Sequence, residues 1–291
     1  MMKERTLRVL EFTKIRDRLA SKAMTDMGRE RCEALVPSSN MTEIQRMQAE
    51  TEEATVILQY VGASPLVPFS DVRASLTLAE TGATLSPKAL LEVAALMQSA
   101  RAARKALDTE RDNTPILKEL AQRLSTLHNV EQDITNAIIS EDEIADRASN
   151  ELMDIRRHLR GANERIKEKL NQMIRSSAFQ KYLQDPIVTM RNDRYCLPVK
   201  AEYRGSVPGL VHDQSSTGAT LFIEPMAAVE MGNELKTWAA KEKQEIERIL
   251  SALSAEIAPY ADQLRETVET LAELDYIFAK GMLSREMNAV S

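Results

Sequence analysis

Several kinds of chemistry are excluded by what this 291-residue sequence has little of. Its only cysteines, Cys32 and Cys196, are too few and too far apart for a disulfide framework or a cysteine zinc site, which fits a reducing cytoplasm. Aromatic residues make up 4% of the chain, against the habit of β-sandwiches and base-stacking modules. None of the nine glycines precedes a lysine or falls in a G-x-G-x-x-G pattern, so the usual phosphate-binding and dinucleotide loops are missing. The three histidines, His128, His158 and His212, lie at no zinc spacing, and no metal centre is expected. No stretch approaches the ~18 apolar residues of a membrane span. The net charge of −6 gives no global attraction to nucleic acid, so binding of that kind must use a local basic face.

What is present is mainly helical pattern. Hydrophobic residues at 43% can build a core, and 28% charged residues can cover it; the length suggests a core domain plus an appended one. From Leu7 to about Gln132 short amphipathic helices alternate with clear stops. Pro37-Ser38-Ser39-Asn40 breaks the first region, after which Ile44, Met47, Thr51, Ala54, Ile57 and Leu58 share one helix face, and residues 62–68 end it. Ser86-Pro87 and Thr114-Pro115 are helix starts, with a capping hydroxyl before proline in the first turn. A helical bundle explains the Leu and Met of this segment without a ligand.

A different texture runs from Asp146 to Leu183, without proline and with the single glycine Gly161. It reads as one long helix whose Leu152, Ile155, Leu159, Ala162, Ile166, Leu170 and Met173 make a narrow coiled-coil seam. Leu235, Trp238, Glu242, Ile246, Ile249, Leu253 and Ile257 continue that spacing in a second helix from about Ala228. About forty residues join the two, so they pair antiparallel, as arms of roughly 45 Å. Pro259 kinks or interrupts the returning helix because it has no N–H to donate, and Leu264, Val268, Leu271, Leu274 and Phe278 then rejoin the first bundle.

Between the arms, residues 186–225 have β character. Ile187 to Met190 and Arg194 to Leu197 flank the turn-prone Asn192-Asp193, as a hairpin requires. Gly205, Pro208, Gly209 and Gly218 supply turns, and residues 219–224 read as a last strand. His212-Asp213 near Ser215-Ser216 offers the residue types of a catalytic triad, but neighbouring strand residues point to opposite faces. The acidic run Glu141-Asp142-Glu143 with Asp146 reads as a solvated helix start rather than a metal site.

Charge divides the arms. Residues 151–183 hold eight basic side chains (Arg156, Arg157, Arg160, Arg165, Lys167, Lys169, Arg175, Lys181) against four acidic ones (Glu151, Asp154, Glu164, Glu168). Residues 228–258 hold four basic ones (Lys236, Lys241, Lys243, Arg248) against six acidic ones (Glu230, Glu234, Glu242, Glu245, Glu247, Glu256). Complementary flanks of this kind hold an antiparallel coiled coil in register; a basic face for a phosphate backbone is the functional alternative.

The tip segment contains Arg191-Asn192-Asp193-Arg194-Tyr195, Pro198-Val199-Lys200-Ala201-Glu202-Tyr203-Arg204-Gly205, Pro208-Gly209, His212-Asp213, and Ser215-Ser216-Thr217-Gly218-Ala219-Thr220-Leu221-Phe222-Ile223-Glu224-Pro225. It resembles the clamp of the second bacterial MutS family, the endonuclease-type MutS paralogues. Leu10-Glu11-Phe12 with Ile15, and Leu274-Asp275-Tyr276-Ile277-Phe278-Ala279-Lys280, resemble the same family's lever, so the resemblance covers essentially the whole chain. It implies a mainly α fold: a helical lever over 1–145 and 259–291, interrupted by a clamp over 146–258. The clamp has helical arms at 146–185 and 226–258 and a β-rich tip at 186–225.

For function the resemblance implies an N-terminal piece of a homodimeric ATPase and endonuclease. Such a machine binds branched or double-stranded DNA and suppresses homologous recombination. Alternatives are a clamp on ribosomes or ribosomal RNA that rescues collided ribosomes, or a purely structural dimerising arm. No catalytic site is expected in this stretch, and ATP and Mg²⁺ are expected to belong to an ATPase domain outside it. The residues expected to meet nucleic acid are Arg191, Arg194, Lys200 and Arg204 at the tip and Arg156, Arg157 and Arg160 on the arm, with Tyr195 and Tyr203 the aromatic candidates for stacking. Mismatch-reading MutS proteins use a Phe-x-Glu motif in a domain that precedes the lever; Phe222-Ile223-Glu224 matches it only at the clamp tip.

Overall fold

A computed structural model describes residues 7, 9–108 and 113–289. The fold is mainly α, as the helical periodicity predicts, and its contacts gather into two units.

The described residues of Met1–Ala145 and Leu250–Ser291 form the first unit. Its helices are α1 (Phe12–Ala20), α2 (Asp26–Glu33), α3 (Met41–Val61), α4 (Arg73–Glu80), α5 (Pro87–Leu107), α6 (Pro115–Gln122) and α7 (His128–Ala137), followed by a ribbon of β1 (Ile138–Ser140) and β2 (Glu143–Ile144). The expected starts and stops fall where capping chemistry puts them. Asn40 Oδ1 accepts from the Thr42 amide, Gly62 ends α3 in the left-handed region at φ 82°, and Ser86 Oγ accepts from the Ala89 amide ahead of α5. At Thr114-Pro115 the proline opens α6 as expected, but the hydroxyl makes no cap. Glu53 of α3 supplies it, its carboxylate accepting from the amides of Ile116 at 3.2 Å and Leu117 at 2.8 Å.

The long final helix α11 (Ala261–Met287) runs through the middle of this unit, burying Leu264, Val268, Leu271, Leu274, Ile277 and Phe278. Pro259 sits in a 3₁₀ turn (Ala258–Tyr260) ahead of it, the interruption its missing N–H requires. Asp275, fully buried on α11, accepts from the Met24 and Thr25 amides and from the Thr25 hydroxyl, while that hydroxyl also caps α2 through the Gly28 amide. Gly28 must be glycine in this packing, because a Cβ there would run into the Asp275 carboxylate. Asp275 is thus a structural strut between α11 and the start of α2.

One expectation is corrected here. The acidic run Glu141-Asp142-Glu143 is not a helix start: it forms the turn and second strand of the β1–β2 ribbon. The arm helix begins only after Ser149, whose hydroxyl accepts from the Leu152 amide.

The second unit covers Asp146–Ile249. Its first arm is α8 (Asn150–Arg175), shorter than the expected helix to Leu183. The helix stops at Ser176, which adopts an extended ψ of 120°, and after the single turn α9 (Ser177–Gln180) the chain joins the sheet. Leu183 bridges Val199, the Gln184 amide donates to Pro198 O, and the Lys200 amide donates to Tyr182 O. Strand pairing, which local periodicity does not report, ends the helix.

The tip sheet has order β3-β4-β6-β5, antiparallel throughout, with β3 (Thr189–Arg191), β4 (Arg194–Lys200), β5 (Gly209–Gln214) and β6 (Thr220–Pro225). The predicted hairpin is present: Asn192 at φ 50° and Asp193 at φ 58° make the two-residue turn, both in the left-handed region that such turns need. Gly209, expected in a turn, lies in β5, where its missing side chain lets β6 approach at Glu224 O. Ile166 and Leu170 of α8 share a core with Leu197, Val199, Ile223 and Ala228, so the sheet is seated on the arm helices. The returning arm is α10 (Met226–Ile257).

Candidate nucleic-acid interface

Side-chain contacts between α8 and α10 run antiparallel within the second unit. Ser149 donates to Glu245 at 2.6 Å, Arg156 pairs with Glu242 at 2.7 Å, and Arg165 pairs with Glu234 at 2.9 Å. His158 stacks on Trp238 with ring centroids 4.4 Å apart. Residue numbers rise on one helix as they fall on the other, which fixes the register. The apolar seam beneath includes the buried Leu152, Ile155, Ala162, Ile166 and Leu170.

The three arm arginines singled out in the sequence have carboxylate partners. Arg156 bridges Asp146 at 2.6 Å and Glu242, Arg160 reaches the other Asp146 oxygen at 3.1 Å, and Arg157 pairs with Asp154 at 3.0 Å. Hydrogen bonds from Arg156 and then Arg160 hold the Asp146 carboxyl below the usual carboxylate range. Arg156 is half-buried in this work, whereas Arg157 and Arg160 remain mostly exposed.

At the tip the four predicted cations part ways. Arg194 enters a buried network, donating to Glu224 at 3.1 Å and to Asn233 of α10 at 2.7 Å, and His212 Nε2 lies 2.8 Å from the other Glu224 oxygen. Glu224 is fully buried, so these partners are what make its charge tolerable. His212 therefore faces a carboxylate rather than a serine, against a triad. Arg191 lies 4.0 Å over the Phe222 ring and 3.2 Å from Asp213. Phe222 and Glu224 of the Phe-x-Glu match are thus both occupied within the sheet. Arg204 donates to the carbonyls of Val207 and Gly209. Lys200 has no carboxylate partner among the described residues.

What the sequence reading missed is where unpaired charge collects. Lys167, Lys169 and Arg175, toward the C-terminal end of α8, are exposed and have no ion-pair partner among the described residues. Lys181 beyond them stands over the Tyr182 ring at 4.9 Å. The signal was available, since residues 165–181 of the outgoing arm hold Arg165, Lys167, Lys169, Arg175 and Lys181 against the single carboxylate Glu168.

The left-handed glycines Gly62, Gly82 and Gly218 are each followed by alanine, so none of them begins a phosphate cradle with its Lys-Ser/Thr pair. Among the described residues no cluster of three or more His, Cys, Asp or Glu has metal-holding geometry. No helix among them is long and apolar enough to cross a membrane.

No family model matches the chain. Among curated proteins it is 48% identical over 291 residues to one named Endonuclease MutS2 from Alkaliphilus oremlandii, and 46% identical over 294 residues to one of the same name from Acetivibrio thermocellus. A third of that name, from Symbiobacterium thermophilum, is 46% identical over 287 residues. Over nearly its whole length the chain is similar to proteins of that name. The alignments cover 99% of the chain and 36–37% of these relatives, so the chain spans little more than a third of the length of the MutS proteins it matches.

Proposed function

We propose that this chain is the lever and clamp of a MutS-type protein that acts as a homodimer in the cytoplasm, embraces branched or double-stranded DNA and suppresses homologous recombination. On this reading ATP and Mg²⁺ act through sequence other than these residues, and the chain itself binds without catalysing. The observation that carries the proposal is the run of exposed, unpaired cations Lys167, Lys169 and Arg175 leading toward the tip. A net charge of −6 repels phosphate at long range, so a local cationic strip is the feature that turns such a chain toward nucleic acid. The arm arginines are already satisfied by Asp146, Glu242 and Asp154, and Arg156 ties the two helices together through Glu242.

The test compares binding of a four-way DNA junction and of ribosomes in matched salt. Junction binding should be independent of sequence and weaken steeply with salt. Each phosphate contact contributes roughly 0.9 to the slope of log K against log salt, so reversing Lys167, Lys169 and Arg175 to Glu should lower the slope by about 2–3. Reversing Arg156, Arg157 and Arg160 should instead loosen the arm. Ribosome binding without junction binding would move the assignment to ribosome rescue, and binding to neither would leave a structural arm.

A further inference from the structure

Low aromatic content argues against base stacking for the chain as a whole, and the structure sets the two candidate tyrosines apart. The Tyr195 hydroxyl donates to Asn163 Oδ1 at 3.0 Å and the ring packs on the tip core. Tyr203 has a different neighbourhood. It lies in the 3₁₀ turn Ala201–Ser206, its ring centroid 5.4 Å from that of Tyr182, which in turn meets Phe179 edge-on at 5.9 Å. Tyr182 precedes β3 and Tyr203 follows β4, and the Lys200 amide, donating to Tyr182 O, brings the two stretches together.

Both tyrosines are half-buried, packed against the tip core and partly left to solvent. Cations neighbour both rings in sequence, and one of them stands over a ring. The exposed Lys181 ammonium stands 4.9 Å from the Tyr182 centroid, Lys200 has no carboxylate partner among the described residues, and Arg204 follows Tyr203 and spends its donors on two backbone carbonyls. A flexible cation over a ring face marks that face as accessible. A base that displaces the lysine stem gains the ring, and the ammonium stays within reach of the nucleotide's phosphate.

We propose that Tyr182 and Tyr203 form a stacking site for an unpaired nucleotide, with Lys181 and Lys200 holding the flanking phosphates. The site rests on the reading of the chain as a nucleic-acid clamp and adds to it a preference for unpaired over fully paired strands. The ligand is a single-stranded segment, of either sugar, such as a branch point or a loop exposes.

The experiment uses the full chain with a 15-nucleotide oligo(dT) carrying a central 2-aminopurine, its oligo(U) counterpart, and a blunt duplex of 20 base pairs. Stacking on tyrosine should quench 2-aminopurine emission on binding; quenching with either strand supports the site, and the stronger of the two assigns the sugar. Tyr182→Phe with Tyr203→Phe keeps the rings and should keep the quenching. Tyr182→Leu with Tyr203→Leu keeps apolar packing but removes the rings, and should abolish the quenching and weaken single-strand binding about tenfold, with duplex affinity within twofold of the parent. Because the leucine pair touches the core, Lys200→Glu is the surface variant: it should weaken single-strand binding several-fold with an unchanged circular dichroism spectrum. Duplex binding without quenching of either strand, or full quenching by the leucine variant, would overturn the stacking site alone. Failure to bind any of the three nucleic acids would overturn it together with the proposed function.

Discussion

Asp275 shows how much of this fold hangs on one carboxylate. It has no solvent, and its three donors come from Met24 and Thr25, about 250 residues away in sequence. Replacing it by asparagine keeps the size but sets an amide N–H₂ against one or more of those donors. We expect Asp275→Asn to destabilise the first unit by about 2–3 kcal/mol, read as a lower urea midpoint at unchanged slope. Cys32 nearby is pushed up to about 12, first by burial and then by the Asp275 charge, and Cys196 in the tip is pushed up to about 11 by burial and Glu224. Thiolate is the reactive form, so neither cysteine should react with Ellman's reagent at pH 8 in the native protein, and both should react in guanidinium. Fast native labelling of either would contradict the packing described. Asp275 was legible in the sequence only as part of a family motif, because nothing in its local pattern distinguishes a buried strut from a solvated helix carboxylate.

At the scale of the elements, punctuation was legible and tertiary pairing was not. Pro37 to Asn40, Gly62, Ser86-Pro87, Pro259 and Asn192-Asp193 act through local backbone chemistry, and each falls where that chemistry predicts. The end of α8 did not show, since no proline or glycine marks Ser176 and the helix yields there to pairing with β4. The cap of α6 was hidden for a related reason: Glu53, which supplies it, lies 63 and 64 residues before the amides it accepts from.

Helix packing gives a sharp test. A Cβ on Gly281 of α11 would lie 2.9 Å from the Ala54 Cβ and 3.2 Å from Leu58 Cδ1 of α3. The Ala54 Cβ is fixed to backbone and cannot swing aside, so the crowding outweighs the ~1 kcal/mol of helix propensity that alanine offers. Gly281→Ala should therefore lower the melting temperature rather than raise it.

The arm responds to acid through Asp146. Its folded pKa is depressed by Arg156 and Arg160, so its contribution is present above the unfolded value near 3.8 and is lost as pH falls through the lower folded one. Asp146→Asn should flatten the fall in stability between neutral pH and about pH 3. An unchanged acid profile would mean that these exposed ion pairs contribute nothing measurable.

Across the whole molecule, counting charges in sequence locates the basic arm but not its free cations. The partners of Arg156 and Arg165 lie 86 and 69 residues away on α10, and Arg156 and Arg160 share Asp146 just ahead of α8. Only folding shows that Arg156, Arg160 and Arg165 are occupied while Lys167, Lys169 and Arg175 have no ion-pair partner among the described residues. The same distinction between pattern and placement governs nucleotides. A phosphate cradle needs consecutive amides turned inward by left-handed glycine, with a lysine beside them. Here Gly62 and Gly82 follow the ends of α3 and α4, Gly218 turns between β5 and β6, and alanine follows each of them. These three turns therefore offer a β- and γ-phosphate no paired ammonium and hydroxyl. Titrating it with MgATP in a calorimeter should give only heats of dilution up to millimolar nucleotide, under conditions in which junction DNA gives a saturable isotherm. A saturable ATP isotherm would reveal a nucleotide site built from residues other than these glycines and would overturn the separation of binding from catalysis proposed for this chain.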